Sequence, residues 1–207
     1  MGRLGVIFLL MASTLAAQDV ESLHQFNAIY KPNARWNLQG NFRLRSNRNL
    51  TNLFELRGGP VASYTLNPRL SLIAGYYYTG QEPRLQPVFL PQHRGFGGFQ
   101  TPLIKNRKMS LEARTLVERF FKTPSGSFTR TRQRLYWQRQ RAAFMPYASV
   151  EGLYARQRAT FRLGLGLLRQ LSPQLQMAMG YELRHYPNGS LGHILTTNFQ
   201  LEKKREN

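Results

Sequence analysis

The pattern closest to a catalytic arrangement is His185-Tyr186-Pro187-Asn188-Gly189. A His-x-Ser-Asn order would let an imidazole activate a serine for acyl transfer, but Pro187 stands where the nucleophile belongs. Ser190 could serve only with a rearranged turn, so His185 reads better as a histidine beside a hairpin turn. His24, His93 and His193 have no second histidine or carboxylate at metal-ligand spacing, and neither a metal nor a cofactor is expected. Gly95-Phe-Gly-Gly-Phe99 lacks the strand and helix that flank a phosphate loop. Glu112, Glu118, Glu151 and Glu182 could supply an acid/base carboxylate pair, but arginines outnumber them and ion pairing is the plainer role. The chain is therefore read as a non-enzyme.

Charge is the strongest chemical signal. The 207 residues carry 29 Lys and Arg against 10 Asp and Glu, a formal net charge of +19. Such an excess implies an anionic partner: phosphate-bearing lipid, polysaccharide or nucleic acid. The stretch Arg130-Thr-Arg-Gln-Arg-Leu-Tyr-Trp-Gln-Arg-Gln-Arg141 interleaves cations with aromatics, as single-strand nucleic-acid binders do. The first residues argue against that partner. Met1 to Gln18 runs from basic Arg3 through an apolar stretch to Ala16 and Ala17, the order of a secretory signal peptide cleaved near Ala17 and too short to span a bilayer as a helix. Losing Arg3 with the leader leaves 28 basic residues and a net charge of +18. Cysteine is absent, so an exported chain of this kind is held by burial or by a membrane, without disulfides.

The elements that position these charges are strands. Apolar and polar residues alternate over runs of about ten, the length of a tilted membrane strand, with no sustained helical period. From Leu175 to His185, Leu175, Met177, Met179, Tyr181 and Leu183 share one face; from 194 to 202, Leu195, Thr197, Phe199 and Leu201 do. Phe161, Leu163, Leu165 and Leu167 oppose Arg162, Gly164 and Gly166. Trp36, Leu38, Phe42 and Leu44 alternate with Asn41, Arg43 and Arg45, and Phe54, Leu56, Ala62 and Tyr64 with Glu55, Arg57 and Ser63. Segments at 23–30, 70–80, 109–121, 130–139 and 147–154 read alike, and a doubtful one at 93–102 brings the candidates to eleven. Pro-centred turns at Tyr30-Lys-Pro-Asn-Ala-Arg-Trp36, Leu66-Asn-Pro-Arg-Leu70 and Leu171-Ser-Pro-Gln-Leu175, with Asn188-Gly189, join neighbours as antiparallel hairpins.

The expected fold is all-β, an up-and-down antiparallel transmembrane barrel of 10–12 strands. Bacterial barrels favour even counts, so either the 23–30 segment lies outside a ten-stranded barrel or the Pro-rich 84–92 stretch hides a twelfth strand. Twelve is preferred. The domain plan is a leader at 1–17, the barrel at 18–201 and a charged tail at 202–207.

A soluble sandwich would show the same alternation, and a soluble periplasmic β-sheet binding protein is one alternative; a lipid acyl hydrolase using His185 is another. Three features favour the membrane, the third being the aromatic Phe199 that ends the final strand; the charges of the polar parity fit either reading. Tyr30, Trp36, Tyr64, Tyr76, Tyr78, Trp137, Tyr154 and Tyr181 sit on the apolar faces as interfacial girdles would. Gly164, Gly166, Ala178 and Gly180 leave interior room for long side chains. The polar parity collects Arg43, Arg45, Glu55 and Arg57, then Glu112, Arg114, Glu118, Arg132 and Arg134, then Glu151, Arg162, Glu182 and Arg184, which can pair across a lumen.

The hairpin Tyr30 to Arg45, the turn and strand Leu66 to Tyr76, the strand Leu111 to Arg119 followed by Arg130 to Tyr136, and His193 to Phe199 resemble the bacterial family called domain of unknown function 2490 (DUF2490), regarded as outer-membrane β-barrels. That resemblance implies a fold and a bacterial outer-membrane address rather than an activity. The expected partners are membrane lipid, lipopolysaccharide and the outer-membrane assembly machinery, with no nucleic acid. The tail beyond Leu201 departs from the terminal aromatic usual in such barrels. The expected function is a structural or passive pore whose Arg-lined lumen binds or passes anionic solutes.

Overall fold

A computed structural model describes residues 20–47, 49–82, 90–122, 126–140 and 143–204. The leader at 1–17 lies outside the described residues. Eleven strands close into one barrel: β1 (Val20–Lys31), β2 (Trp36–Asn47), β3 (Asn52–Asn67), β4 (Leu70–Gln81), β5 (Leu90–Lys105), β6 (Met109–Lys122), β7 (Gly126–Arg139), β8 (Met145–Ala155), β9 (Arg158–Gln170), β10 (Leu175–His185) and β11 (Leu191–Lys204). Each pairs antiparallel with its chain neighbour, and β1 closes on β11 in parallel.

The preferred count of twelve is corrected to eleven. Both ways of reaching an even number fail in the register. The 23–30 segment is inside the barrel as β1. The 84–92 stretch lies mostly outside the described residues, yet Gln81 of β4 pairs directly with Leu90 of β5, leaving no gap in the sheet for another strand. The doubtful 93–102 segment is the middle of β5. Parallel closure follows from the odd count, because the first and last strands of an up-and-down series then run the same way. The barrel thus has an N-terminal rim, where β1 begins, and an opposite C-terminal rim, where β11 finishes. β11 runs to Lys204, so Glu202 to Lys204 of the charged tail belong to a strand, with Glu202 2.9 Å from Lys31 Nζ.

The turns at the C-terminal rim are fixed locally, as the Pro-polar spacing predicts. Asn33 Oδ1 accepts from the amides of Arg35 (2.9 Å) and Trp36 (3.0 Å), and Asn67 Oδ1 from that of Arg69 (2.8 Å). Asn106 and Ser172 do the same at 106–109 and 172–175. These side chains supply the acceptor that an Asx or Ser turn needs. At the other rim, the β8–β9 hairpin turns on Arg156 (φ 49°) and Gln157 (φ 62°), two residues with side chains in left-handed backbone. A two-residue hairpin demands that geometry, which Asn-Gly meets more cheaply.

The alternation sorts the wall into two faces. On β9, Phe161, Leu163, Leu165 and Leu167 are 57, 44, 47 and 51% exposed, whereas Leu168, of opposite parity, is 6% exposed. The same holds around the circumference, at Phe26, Phe42, Leu72, Tyr76, Phe99, Val117, Leu135, Val150 and Leu195. The outer wall is therefore predominantly apolar, broken on β7 by exposed Thr131 and Gln133, the inverse of a soluble sheet whose apolar face is its core. Of the four histidines on outward parity, His185 is exposed at the end of β10, and the other three have polar partners. His24 Nδ1 lies 2.7 Å from Thr197 Oγ1, His93 bonds Tyr76 and His193 bonds Tyr181.

One outward assignment is corrected. The register slips between Arg45 and Ser46, so β3 carries an extra residue opposite β2. Phe54 sits in this bulge. It is 8% exposed beneath the Arg45 guanidinium, 4.8 Å from its ring centroid, and lines the lumen instead of the outer wall. Shifting pairing by one residue exchanges the faces of a strand.

The closing seam is matched on both faces. Outside, Phe42, Phe26 and Phe199 are direct register partners, and the Phe26 and Phe199 rings stack at 5.4 Å and 11°. Inside, Asn27 accepts from Gln39 (2.6 Å) and Asn41 and donates to Asn198 Oδ1 (2.6 Å). An amide ladder thus joins β2, β1 and β11 within the lumen.

Candidate functional site: the lumen

The barrel's period of two sends every other side chain inward, and on most strands that set includes Arg or Glu. Ion pairs tie them into two groups. In the first, Arg45 bonds both Glu21 and Glu55 (3.2 Å to the latter), and Arg43 bonds Glu55. The second crosses six strands. Glu118 of β6 meets Arg130 of β7 at 2.5 Å and Arg94 of β5 at 3.6 Å; Arg132 of β7 meets Glu151 of β8 at 2.5 Å; Arg162 of β9 meets Glu151 at 3.3 Å and Glu182 of β10 at 3.9 Å; Arg184 meets Glu182 at 2.5 Å. Glu118 is 1% exposed. Buried carboxylates of this kind need the several guanidinium donors gathered on them.

The belt is backed toward the N-terminal rim by aromatic side chains that also turn inward. Arg57 and Arg94 lie 4.5 and 4.7 Å from the Tyr77 ring, and Arg130 lies 4.7 Å from that of Phe120, which stacks on Phe128 at 4.5 Å. Phe96 stacks on Tyr77 at 5.1 Å and occupies the space a side chain at Gly75 would take. Cations held over aromatic faces out of water gain more than exposed ones. Ion pairs and rings together pack the β4–β7 side of this half of the lumen, as expected for a barrel of this size.

Toward the C-terminal rim the lumen opens into a cup of about 450 Å³. Arg43, Arg132, Glu151, Arg162 and Glu182 form its floor; Gln100, Glu112, Arg114, Arg134, Tyr136, Gln138, Tyr147, Ser149, Gln176, Asn198 and Gln200 form its wall. Tyr147 leans into the cup because Gly166 and Gly180 face it; a Cβ at either glycine would strike its ring or hydroxyl. The interior small residues thus make room for a tyrosine as well as for arginines. A second cavity at the N-terminal rim, of about 510 Å³, is lined by Glu21, Arg45, Phe54, Arg184 and Tyr186.

The thirteen charged residues read from the sequence as lumen-lining have the following surroundings. Arg43, Arg45, Glu55, Glu118, Arg132, Glu151, Arg162, Glu182 and Arg184 join the two ion-pair groups; Arg57 rests on Tyr77; Glu112, Arg114 and Arg134 line the cup. Sequence reasoning missed three members. Glu21 precedes the 23–30 segment, and Arg94 lies in the 93–102 segment, where the alternation is weak. Arg130 shares the parity of Arg132 and was legible from it. At the β10–β11 turn, Ser190 Oγ donates to Asn188 Oδ1 at 2.7 Å, and among the described residues no hydrogen bond joins it to His185.

Fold and lumen together define a class: an up-and-down β-barrel, apolar outside and charged within. The chain belongs to the family described as protein of unknown function (DUF2490), whose model matches residues 22–190. No curated protein matches the sequence. Among solved structures, an anion-selective porin from Comamonas acidovorans aligns at 11% identity and a TM-score of 0.42, covering 84% of this chain. The chain spans 56% of that porin's length.

Proposed function

We propose that the protein is a bacterial outer-membrane β-barrel whose lumen binds or passes small anionic solutes passively, with no catalytic step. The observation that carries this reading is the lumen wall: arginines exceed glutamates on a polar interior enclosed by an apolar outer band. The apolar band would face lipid. The arginines would lower the cost of an anion entering and raise that of a cation. The crowded belt restricts flow, so conduction is small and partly replaced by binding in the cup.

The proposed partners follow from the same surfaces. Lys31, Arg35, Arg69, Lys105, Arg107, Lys108 and Arg169 surround the C-terminal rim and fit phosphate-bearing headgroups, including those of lipopolysaccharide. Insertion by the outer-membrane assembly machinery is part of the proposal.

The test has two stages. The protein should fractionate with detergent-extracted outer membranes and migrate faster on gels unheated than heated. In planar bilayers under a potassium chloride gradient, the reversal potential should show preference for chloride. Recovery in the soluble periplasm contradicts the membrane assignment, and cation preference contradicts the role given to the arginines.

A further inference from the structure

Two arginines in the cup stand apart from the others. Arg114 of β6 and Arg134 of β7 are direct register partners, so two like charges face each other across one strand pair. Such pairs destabilise a sheet unless something compensates. Most lumen arginines have a carboxylate within 4 Å; among the described residues neither Arg114 nor Arg134 does. Nearby acids do not serve them. Glu112 accepts from Gln100 Nε2 at 2.7 Å, and Glu151 is held by Arg132 and Arg162. Arg134 instead lies 4.8 Å from the Tyr136 ring centroid.

We infer that this pair is the anion-recognition element of a binding site in the cup, and that its ligand is a small hydroxylated anion, the size of a monosaccharide bearing one carboxylate or phosphate group. The inference rests on the anionic-solute reading above and deepens it. Two arginines lining one cavity match the oxygens of a carboxylate or phosphate better than any neutral group. The rest of the wall recognises hydroxyls. Gln138, Gln176 and Asn198 already hydrogen-bond within the wall and add the remaining capacity of their amides, and Tyr136 and Tyr147, stacked on each other at 5.8 Å, border the cavity with ring surface for the apolar face of a sugar. The volume of about 450 Å³ falls in the range of small-molecule sites. The ion-paired floor stops the ligand, so it enters and leaves by the C-terminal rim.

The full chain, refolded in detergent micelles, is titrated calorimetrically with glucuronate, glucose 6-phosphate, inorganic phosphate and glucose. One of the two sugar anions is expected to bind one per barrel, at least about tenfold more tightly than inorganic phosphate, with no heat from glucose. Glucuronate against glucose 6-phosphate tells the carboxylate from the phosphate source. R114Q and R134Q should each weaken that binding about tenfold or more while keeping the fast gel mobility of the folded barrel. Neither variant removes an ion pair, so neither should impair folding. Sugar anions binding no better than inorganic phosphate, or undiminished binding to both variants, overturns the inference. Bilayer selectivity on the same preparation separates the two levels: chloride preference without sugar-anion binding overturns the cup site alone, and cation preference overturns the parent reading with it.

Discussion

Phe26 and Phe199 are partners across the parallel seam that closes the barrel, their rings stacked at 5.4 Å. Because the native chain has no cysteine, a Phe26→Cys/Phe199→Cys pair reports this closure directly. Oxidation should give an intramolecular crosslink in high yield, seen as altered mobility of the heated protein that reductant reverses. A pair displaced along the seam, Phe26→Cys with Leu195→Cys, should crosslink poorly. Equal yields would mean that the two strands do not hold this register.

The same stack contributes to stability. Phe199→Ala removes an aromatic pair worth about 0.5–1.5 kcal/mol beyond its buried area. The midpoint of urea unfolding, followed by tryptophan fluorescence, should fall modestly, with the folded state still reached because the amide ladder of Asn41, Asn27 and Asn198 holds the inner face of the seam.

Much of this architecture is legible in the sequence, and the reasons differ by element. β10 is read with its observed bounds and β9 from Phe161 onward, because their outward residues between the strand ends are apolar and their turn carries Ser172-Pro173. β5 is doubtful because Gly95, Gly97 and Gly98 leave little contrast between its faces. The bulge that turns Phe54 inward has no local signature, since it exists only relative to β2. Strand parity is a local property and can be read from the sequence; partner choice depends on register around the whole barrel. That is why Glu118 could be named as inward but not identified as the meeting point of Arg94 and Arg130.

Glu118→Gln tests that meeting point. Removing one charge from a buried group leaves its cations uncompensated, at a cost of about 3–5 kcal/mol. Glu112→Gln removes only a carboxylate bonded to Gln100 and should shift stability by about 1 kcal/mol or less. Comparable urea midpoints for the two variants would contradict the importance given to the belt.

The β8–β9 turn predicts a gain. Gln157→Gly relieves a side chain held at φ 62° and should stabilise the barrel by about 1 kcal/mol, read as a raised urea midpoint. A lowered midpoint would show that the Gln157 side chain compensates for its backbone.

Gly98 and Gly95 offer a matched pair in β5. A Cβ at Gly98 would meet the Thr115 carbonyl oxygen, whereas one at Gly95 meets nothing within 4 Å. Gly98→Val should sharply reduce the yield of fast-migrating folded protein, and Gly95→Val should leave it near that of the parent chain. Similar yields would argue against the close approach of β5 and β6.

The central claim is that alternate residues of these strands face lipid. Single cysteines placed in turn from Phe161 to Leu168 of β9, spin-labelled and reconstituted into lipid vesicles, read it most directly. Oxygen accessibility should peak at 161, 163, 165 and 167, with the positions between them low in oxygen and more open to a water-soluble relaxant. A set in which 161, 163, 165 and 167 respond instead to the water-soluble relaxant, with no preference for oxygen, would contradict the membrane barrel.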